Sequence, residues 1–161
     1  GPPSISIIKD FSIEQPFRWY SSFMKIYFAC SIRGGRDDAA AYAELAKYIK
    51  SKATLLTEIF ADNALTSDGM NKPSAVIWET DIAWVKEADA VIAEVTNPSL
   101  GVGYEIAKAE EWNKPVLTLF RNDGSRKLSA MIDGSPNTKT VYYATISEAK
   151  TAIDEFIKGS L

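Results

Sequence analysis

The stretch AVIAEVTNPSLGVGYEIAKA, residues 90–109, decides the fold. It opens on an apolar run (90–95) bounded by turn residues, the pattern of a strand buried on both faces. A polar, glycine-bearing loop follows and is read as ending at Glu105. The residues after it read as a helix, with Glu105 in its first turn.

The same alternation extends in both directions. KIYFAC (25–30) reads as the first strand. After the break SIRGGRDD comes a helix in which Tyr42, Leu45, Ala46 and Ile49 recur at i, i+3, i+4 and i+7, with Asp37 or Asp38 as its cap. ATLLTE (53–58) is a second strand, followed by a polar loop. PSAVIWETDIAWVKEAD (73–89) reads as a helix whose stripe Ile77, Asp81, Trp84 and Ala88 holds a carboxylate among apolar residues. PVLTLF (115–120) is the fourth strand. The connection 121–139 contains one helical turn around 128–132, and TVYYA (140–144) is the fifth strand. Thr145 and Glu148 form a capping box, and Ile146, Ala149, Ile153 and Phe156 are the buried side of the last helix.

Alternating strands and helices predict an α/β fold with a parallel sheet covered on both faces, a three-layer sandwich. Five strands fit the flavodoxin-like order 2-1-3-4-5, with right-handed crossovers. In that order strands one and three are neighbours at the point where the chain reverses direction, and ligands bind there, beyond the carboxyl ends of the strands. The loops leaving those strands are SIRGGRDD and TNPSLGVGYE, the most glycine-rich polar junctions of the chain.

Composition removes several chemistries. The 161 residues suffice for one domain, with 46% hydrophobic and 24% charged residues. A net charge of −3 gives no broad basic surface for a nucleic-acid polymer, and no apolar run is long enough for a membrane helix. Cys30 is the only cysteine, so no disulfide forms within the chain, and a cytoplasmic setting, with a nuclear pool also allowed, is expected. The chain has no histidine, which excludes Ser-His-Asp and Cys-His catalysis and the common His-bearing metal sites. Catalysis is left to carboxylates, Tyr, Ser, Lys and Arg, and neither metal nor cofactor is expected. Residues 1–23 read as an extension, with Gly1-Pro2 as a protease-cleavage scar, and 24–161 as a single domain. Phe17, Trp19, Tyr20 and Phe23 of the extension could pack on the domain or on a partner subunit.

At the switch point, Ser31 offers a hydroxyl, Arg33 a fork suited to phosphate oxygens, and Gly34 and Gly35 close backbone approach. The alternative is a plain strand-to-helix turn with a solvated arginine. Ser99, Gly101 and Gly103 could form a second wall. Glu105 is either a helix-favouring first-turn residue or a nucleophile one sugar ring away from a phosphate. Asp81 is either a partly exposed carboxylate or a desolvated acid holding a proton. Two carboxyls in unlike environments are the logic of a retaining glycosidase. Tyr27 and Cys30 are otherwise core residues, and Trp78, Trp84 and Trp112 core or interface residues.

The strings YFACSIRGGRDD, TDIAWVKEADAVIAEVTNPSLGVGYE and LSAMI, in this order, resemble the 2′-deoxynucleoside 5′-monophosphate N-glycosidases (deoxynucleotide N-hydrolases), relatives of the nucleoside 2-deoxyribosyltransferases. The resemblance covers roughly 25–156. It implies a Rossmann-like homodimer that cleaves the N-glycosidic bond of a deoxynucleoside monophosphate, giving free base and 2-deoxyribose 5-phosphate. It implies Glu105 as nucleophile, Asp81 as acid for the departing base and Tyr27 beside the nucleophile. It implies Ser31, Arg33, Gly34, Ser99 and Gly101 as phosphate positions, and Ser129 of the neighbouring subunit with them. Ile32, Ile77 and the neighbouring subunit's Met131 would lie near the base. The chain departs from the pattern at Ile59, where a histidine is common in relatives. Deoxyribosyl transfer, a ribonucleotide substrate and a non-catalytic nucleotide sensor are the competing readings.

Overall fold

Every residue of Ala90–Glu94 is buried, and this strand, β3, is the middle of a five-stranded all-parallel sheet in the order β2-β1-β3-β4-β5. The computed structural model describes residues 24–31, 36–58, 72–159 and 161. The extension 1–23 lies outside the described residues, as do Ile32, Arg33, Gly34, Gly35 and Ile59.

The elements follow in alternation: β1 (Lys25–Cys30), α1 (Arg36–Lys52), β2 (Thr54–Leu56), α2 (Ser74–Glu87), β3, α3 (Leu100–Glu111), β4 (Val116–Arg121), α4 (Ala130–Asp133), β5 (Thr138–Tyr143) and α5 (Ile146–Ile157). The predicted strand order is the observed one. The period of two along each strand divides the core into two layers. Ile26 and Phe28 of β1 and Ile92 of β3 pack with Tyr42, Leu45 and Ile49 of α1 and Ile153 of α5. Tyr27 and Ala29, with Val91 and Ala93, face Val85 of α2 and Val102 and Ile106 of α3. The pleat therefore sends Tyr27 to the α2–α3 side of the sheet. Truncating a residue such as fully buried Leu45 to alanine would cost about 2–5 kcal/mol.

Local chemistry explains where the predicted boundaries move. The strand expected over 53–58 is ordered as a strand only over Thr54–Leu56, and beyond it the Thr57 hydroxyl donates to Phe28 O at 3.0 Å. The first helix begins at Arg36, ahead of both expected caps. Asp38 lies inside the first turn and accepts instead from Asn97 Nδ2 (2.8 Å) and Arg121 (2.5 Å). The box at the start of α5 forms as expected, Thr145 accepting from Glu148 N and the Glu148 side chain accepting from Thr145 N.

The largest correction falls on the quoted stretch. Helix α3 starts at Leu100, so most of the presumed loop is helix and Glu105 lies beyond the first turn. Ser99 sets that start: its backbone is extended and its hydroxyl accepts from Val102 N at 3.2 Å. Such a cap is worth about 1 kcal/mol, enough to offset about one helical glycine. Gly101 and Gly103 have no positive φ. A side chain at Gly103 would meet nothing within 4 Å.

Candidate active site

At the carboxyl ends of β1 and β3, two elements meet that are far apart in sequence. Cys30 and Glu94 are register partners, so Ser31 and the Thr96–Ser99 segment leave the sheet side by side. A cleft of about 170 Å³ opens there between β1, α2 and α3. Tyr27, Ile77, Asp81, Ser99, Gly101 and Glu105 all line it, as does Glu58.

Glu105 is 8% exposed, on the inner face of α3. Tyr27 reaches it from β1, its hydroxyl donating to Glu105 Oε2 at 2.6 Å. Asp81, from α2, hydrogen-bonds the same carboxyl. Burial pushes the Glu105 carboxyl up to about 7, against the hydrogen bonds from Tyr27 and Asp81, which favour its ionised form. Glu105 is thus more than a helix-favouring residue: burial poises its carboxyl near neutrality, opposed by two hydrogen bonds. A hydrogen bond between two carboxyls requires a proton, so the Asp81–Glu105 pair shares one. Burial, then the Glu105 and Asp81 charges, push the Tyr27 phenol far above its ordinary value, so it remains a donor. Trp84 packs its ring 6.2 Å from the Tyr27 ring, tilted by 36°.

Ser31 is buried at the end of β1, and Ser99 caps α3 at the rim. The free N–H groups and positive end of α3 face this region, a setting that suits an anion. Arg33, Gly34 and Ile32 lie outside the described residues. Ser129 and Met131 are not in this cleft. Ser129 caps the single-turn helix α4 and Met131 is 84% exposed, both lining a second cavity of about 550 Å³ on the other flank of the α3 N-terminus. Within one chain the sequence-predicted residues therefore form two groups, which share only Ser99 between them.

Three residues were missed by sequence reasoning. Glu58 shares the cleft, and its carboxyl hydrogen-bonds Asp81. Glu94, fully buried, accepts from Thr96 N (2.8 Å), the Thr96 hydroxyl (2.7 Å) and the Tyr143 hydroxyl (2.5 Å), which fixes the turn after β3. Asn97 donates to Asp38 and to the Tyr42 hydroxyl (2.6 Å) and accepts from Arg126, binding that turn to the start of α1. A glutamate closing an otherwise apolar strand was the available signal for Glu94. Nothing in the pattern marked Glu58, because its partners are remote in sequence.

Residues 26–149 match the family model described as nucleoside 2-deoxyribosyltransferase. The chain belongs to that family. Among its curated relatives, a 5-hydroxymethyl-dUMP N-hydrolase of Tetraodon nigroviridis is 47% identical over 116 residues, covering 71% of this chain and 82% of the relative. The protein of the same name from Rattus norvegicus is 41% identical over 140 residues, covering 84% and 86%. A solved CMP N-glycosidase of Clostridium botulinum shares the fold with a TM-score of 0.61 at 18% identity, covering 82% of this chain and 98% of that one.

Proposed function

We propose that the protein hydrolyses the N-glycosidic bond of 2′-deoxynucleoside 5′-monophosphates, releasing the base and 2-deoxyribose 5-phosphate. The observation that carries this reading is the contact of Tyr27 and Asp81 with one buried carboxyl, Glu105, at the end of the cleft. The two curated relatives named above are N-hydrolases of a deoxynucleoside monophosphate, and that chemistry fits the cluster.

Cleavage develops positive charge at C1′ and negative charge on the base. Ionised Glu105 attacks C1′ and forms a glycosyl ester as the C1′–N bond breaks, and the bonding electron pair leaves with the base. Asp81 supplies the proton that neutralises the base. Water then attacks C1′, its proton returns to the carboxyl cluster, and Glu105 departs as a carboxylate. Tyr27 holds Glu105 in its attacking orientation. The 5′-phosphate, held by Ser31, Arg33, Gly34, Ser99 and Gly101, positions the sugar with binding energy remote from C1′.

The active form in this reading is a homodimer in which Ser129 of one subunit reaches the phosphate and Met131 the base in the other. Its support is the separation of Ser129 and Met131 from Glu105 within a chain, together with exposed Leu100 (96%), Trp78 and Tyr104 beside the cleft.

Base release from the four common deoxynucleoside monophosphates and 5-hydroxymethyl-dUMP, with the matching ribonucleotides alongside, tests the reading. Free base and deoxyribose 5-phosphate are expected. Formation of a new nucleotide when a second base is added would establish transfer instead, and equal turnover of ribonucleotides would remove the deoxy preference.

A further inference from the structure

Among the described residues, Glu58 is the one carboxyl of the cleft to which the mechanism above gives no task. It follows β2 and meets Asp81 of α2, while Glu105 of α3 and Tyr27 of β1 complete the group around it. Three carboxyls and a phenol therefore converge in a cleft of about 170 Å³. The other charged group acting on Glu58 is Lys72, ahead of α2.

The hydrogen bonds in this cluster have a direction. Tyr27 and Asp81 each favour ionised Glu105, so both donate toward it. The bond between Asp81 and Glu58 favours protonated Glu58, so Glu58 donates toward Asp81. The chain of donors runs Glu58, Asp81, Glu105, with two protons on three carboxyls and one negative charge where the nucleophile needs it. Like charges held this close cannot all ionise, and the cluster titrates as a unit. Burial and the link to Asp81 push Glu58 up to about 8, in keeping with a proton held at neutral pH.

We propose that Glu58 is a positioning residue that stores a proton for Asp81, keeping the acid loaded while base departs. When Asp81 gives its proton to the base, the Glu58 proton moves to Asp81, and the negative charge formerly on Glu105 resides on Glu58 while Glu105 is esterified. The water that opens the ester returns a proton through Asp81 to Glu58. Protons and charge balance over the cycle, and no other reactant is involved.

The rate part of the test rests on the hydrolase reading; the titration part does not. Glu58→Gln keeps a hydrogen-bonding side chain but can neither store a proton nor carry charge. With a deoxynucleoside monophosphate, the alkaline limb of kcat/KM is expected to move down by about one pH unit or more, a loss of about tenfold at pH 8.5 relative to pH 6, with KM changed less than about threefold. Superimposable profiles for wild type and variant would overturn the proposal, and so would a loss by the same factor at every pH, which marks mere structural support. Carboxyl-carbon NMR titration of the unliganded wild-type protein gives a second readout that needs neither turnover nor a folded variant. Glu58 is expected to titrate well above the ordinary carboxylate range; titration near 4.5 would overturn the proposal even if hydrolysis is confirmed. If no nucleotide is cleaved but Glu58 titrates high, the hydrolase reading fails, the role in base departure falls with it, and only the raised ionisation of Glu58 stands.

Discussion

The Tyr27 hydroxyl spans from β1 to α3 and donates to Glu105 Oε2 at 2.6 Å, linking residues 78 positions apart. Both partners are nearly inaccessible, so the bond is charge-assisted in a medium that screens it weakly. It opposes the burial that holds Glu105 near 7.

Removing that donor should change the pH dependence of the reaction. In Tyr27→Phe the Glu105 carboxyl loses a bond to its ionised form, so its ionisation moves to higher pH. The acid limb of kcat/KM should follow, and the loss should exceed about tenfold at pH 6 and shrink toward pH 8. The ratio of variant to wild-type rates across that range is the measurement, since it cancels ionisation of the substrate phosphate. A ratio independent of pH would mean that the bond only orients Glu105.

The nucleophile assignment makes a sharper demand. Glu105→Gln should lower base release by about 10³-fold or more and leave nucleotide binding within a few-fold, measured by calorimetry on the unreacted complex. Retained turnover would remove Glu105 from the role. Glu105→Gln also preserves the acceptor for Tyr27, so loss of fold is not the expected cause of inactivity.

Burial of Glu105 should also be visible in stability. Its folded value, about 7, lies above the ordinary 4.5, so between these values the folded state binds more protons than the unfolded chain. Stability from this group is therefore fully present below about pH 4.5 and is lost as pH rises through about 7. The shift corresponds to about 3 kcal/mol of strain carried by the ionised protein at pH 8. Thermal melts should show Glu105→Gln gaining over wild type at pH 8 and nearly matching it at pH 5. An equal gain at both values would contradict the account.

Much of this arrangement was legible in the chain, and the reasons differ by element. The strands could be read because each is a short apolar run buried on both faces, and their order followed from alternation with helices. Glu105 could be singled out because a switch point gathers strand ends, and Asp81 because it sits on an apolar helix stripe, whereas Tyr27 rested on the family resemblance. The helix start at Leu100 was obscured by Gly101 and Gly103, which read as loop until the Ser99 cap is seen. Likewise Glu58 and the Asp38–Asn97–Arg121 group were invisible, because their meaning is a contact between segments 23 to 83 residues apart. Ser129 and Met131 carried no local signal beyond the family resemblance.

That Asp38 group predicts a separation of binding from chemistry. Arg121 and Asn97 hold Asp38 at the start of α1, with Asn97's and then Arg121's hydrogen bond keeping the Asp38 carboxyl below its ordinary range. The clamp thereby ties the first turn of α1 to the turn before α3, which carries the proposed phosphate contact Ser99. Asp38→Ala should raise KM for a nucleotide about tenfold while changing kcat less than about threefold, with about 1–2 kcal/mol lost from stability. Steady-state kinetics and denaturant unfolding check both halves. A fall confined to kcat would detach the clamp from phosphate binding.

The dimeric site can be tested by complementation. If Ser129 of one subunit serves the Glu105 cleft of the other, Glu105→Gln and Ser129→Ala each damage every site in their own homodimers. A mixed dimer places both lesions in one site and leaves the other site whole. Co-refolding equal amounts of the two variants should therefore restore about a quarter of wild-type activity, since about half the dimers are mixed and each has one intact site. Leu100→Asp, placing a charge on a side chain that is 96% exposed in the single chain, should abolish this rescue and shift the sedimentation coefficient toward that of a monomer. Activity no greater than the sum of the two variants alone, in preparations where mass spectrometry shows mixed dimers, would place Ser129 outside the neighbouring site.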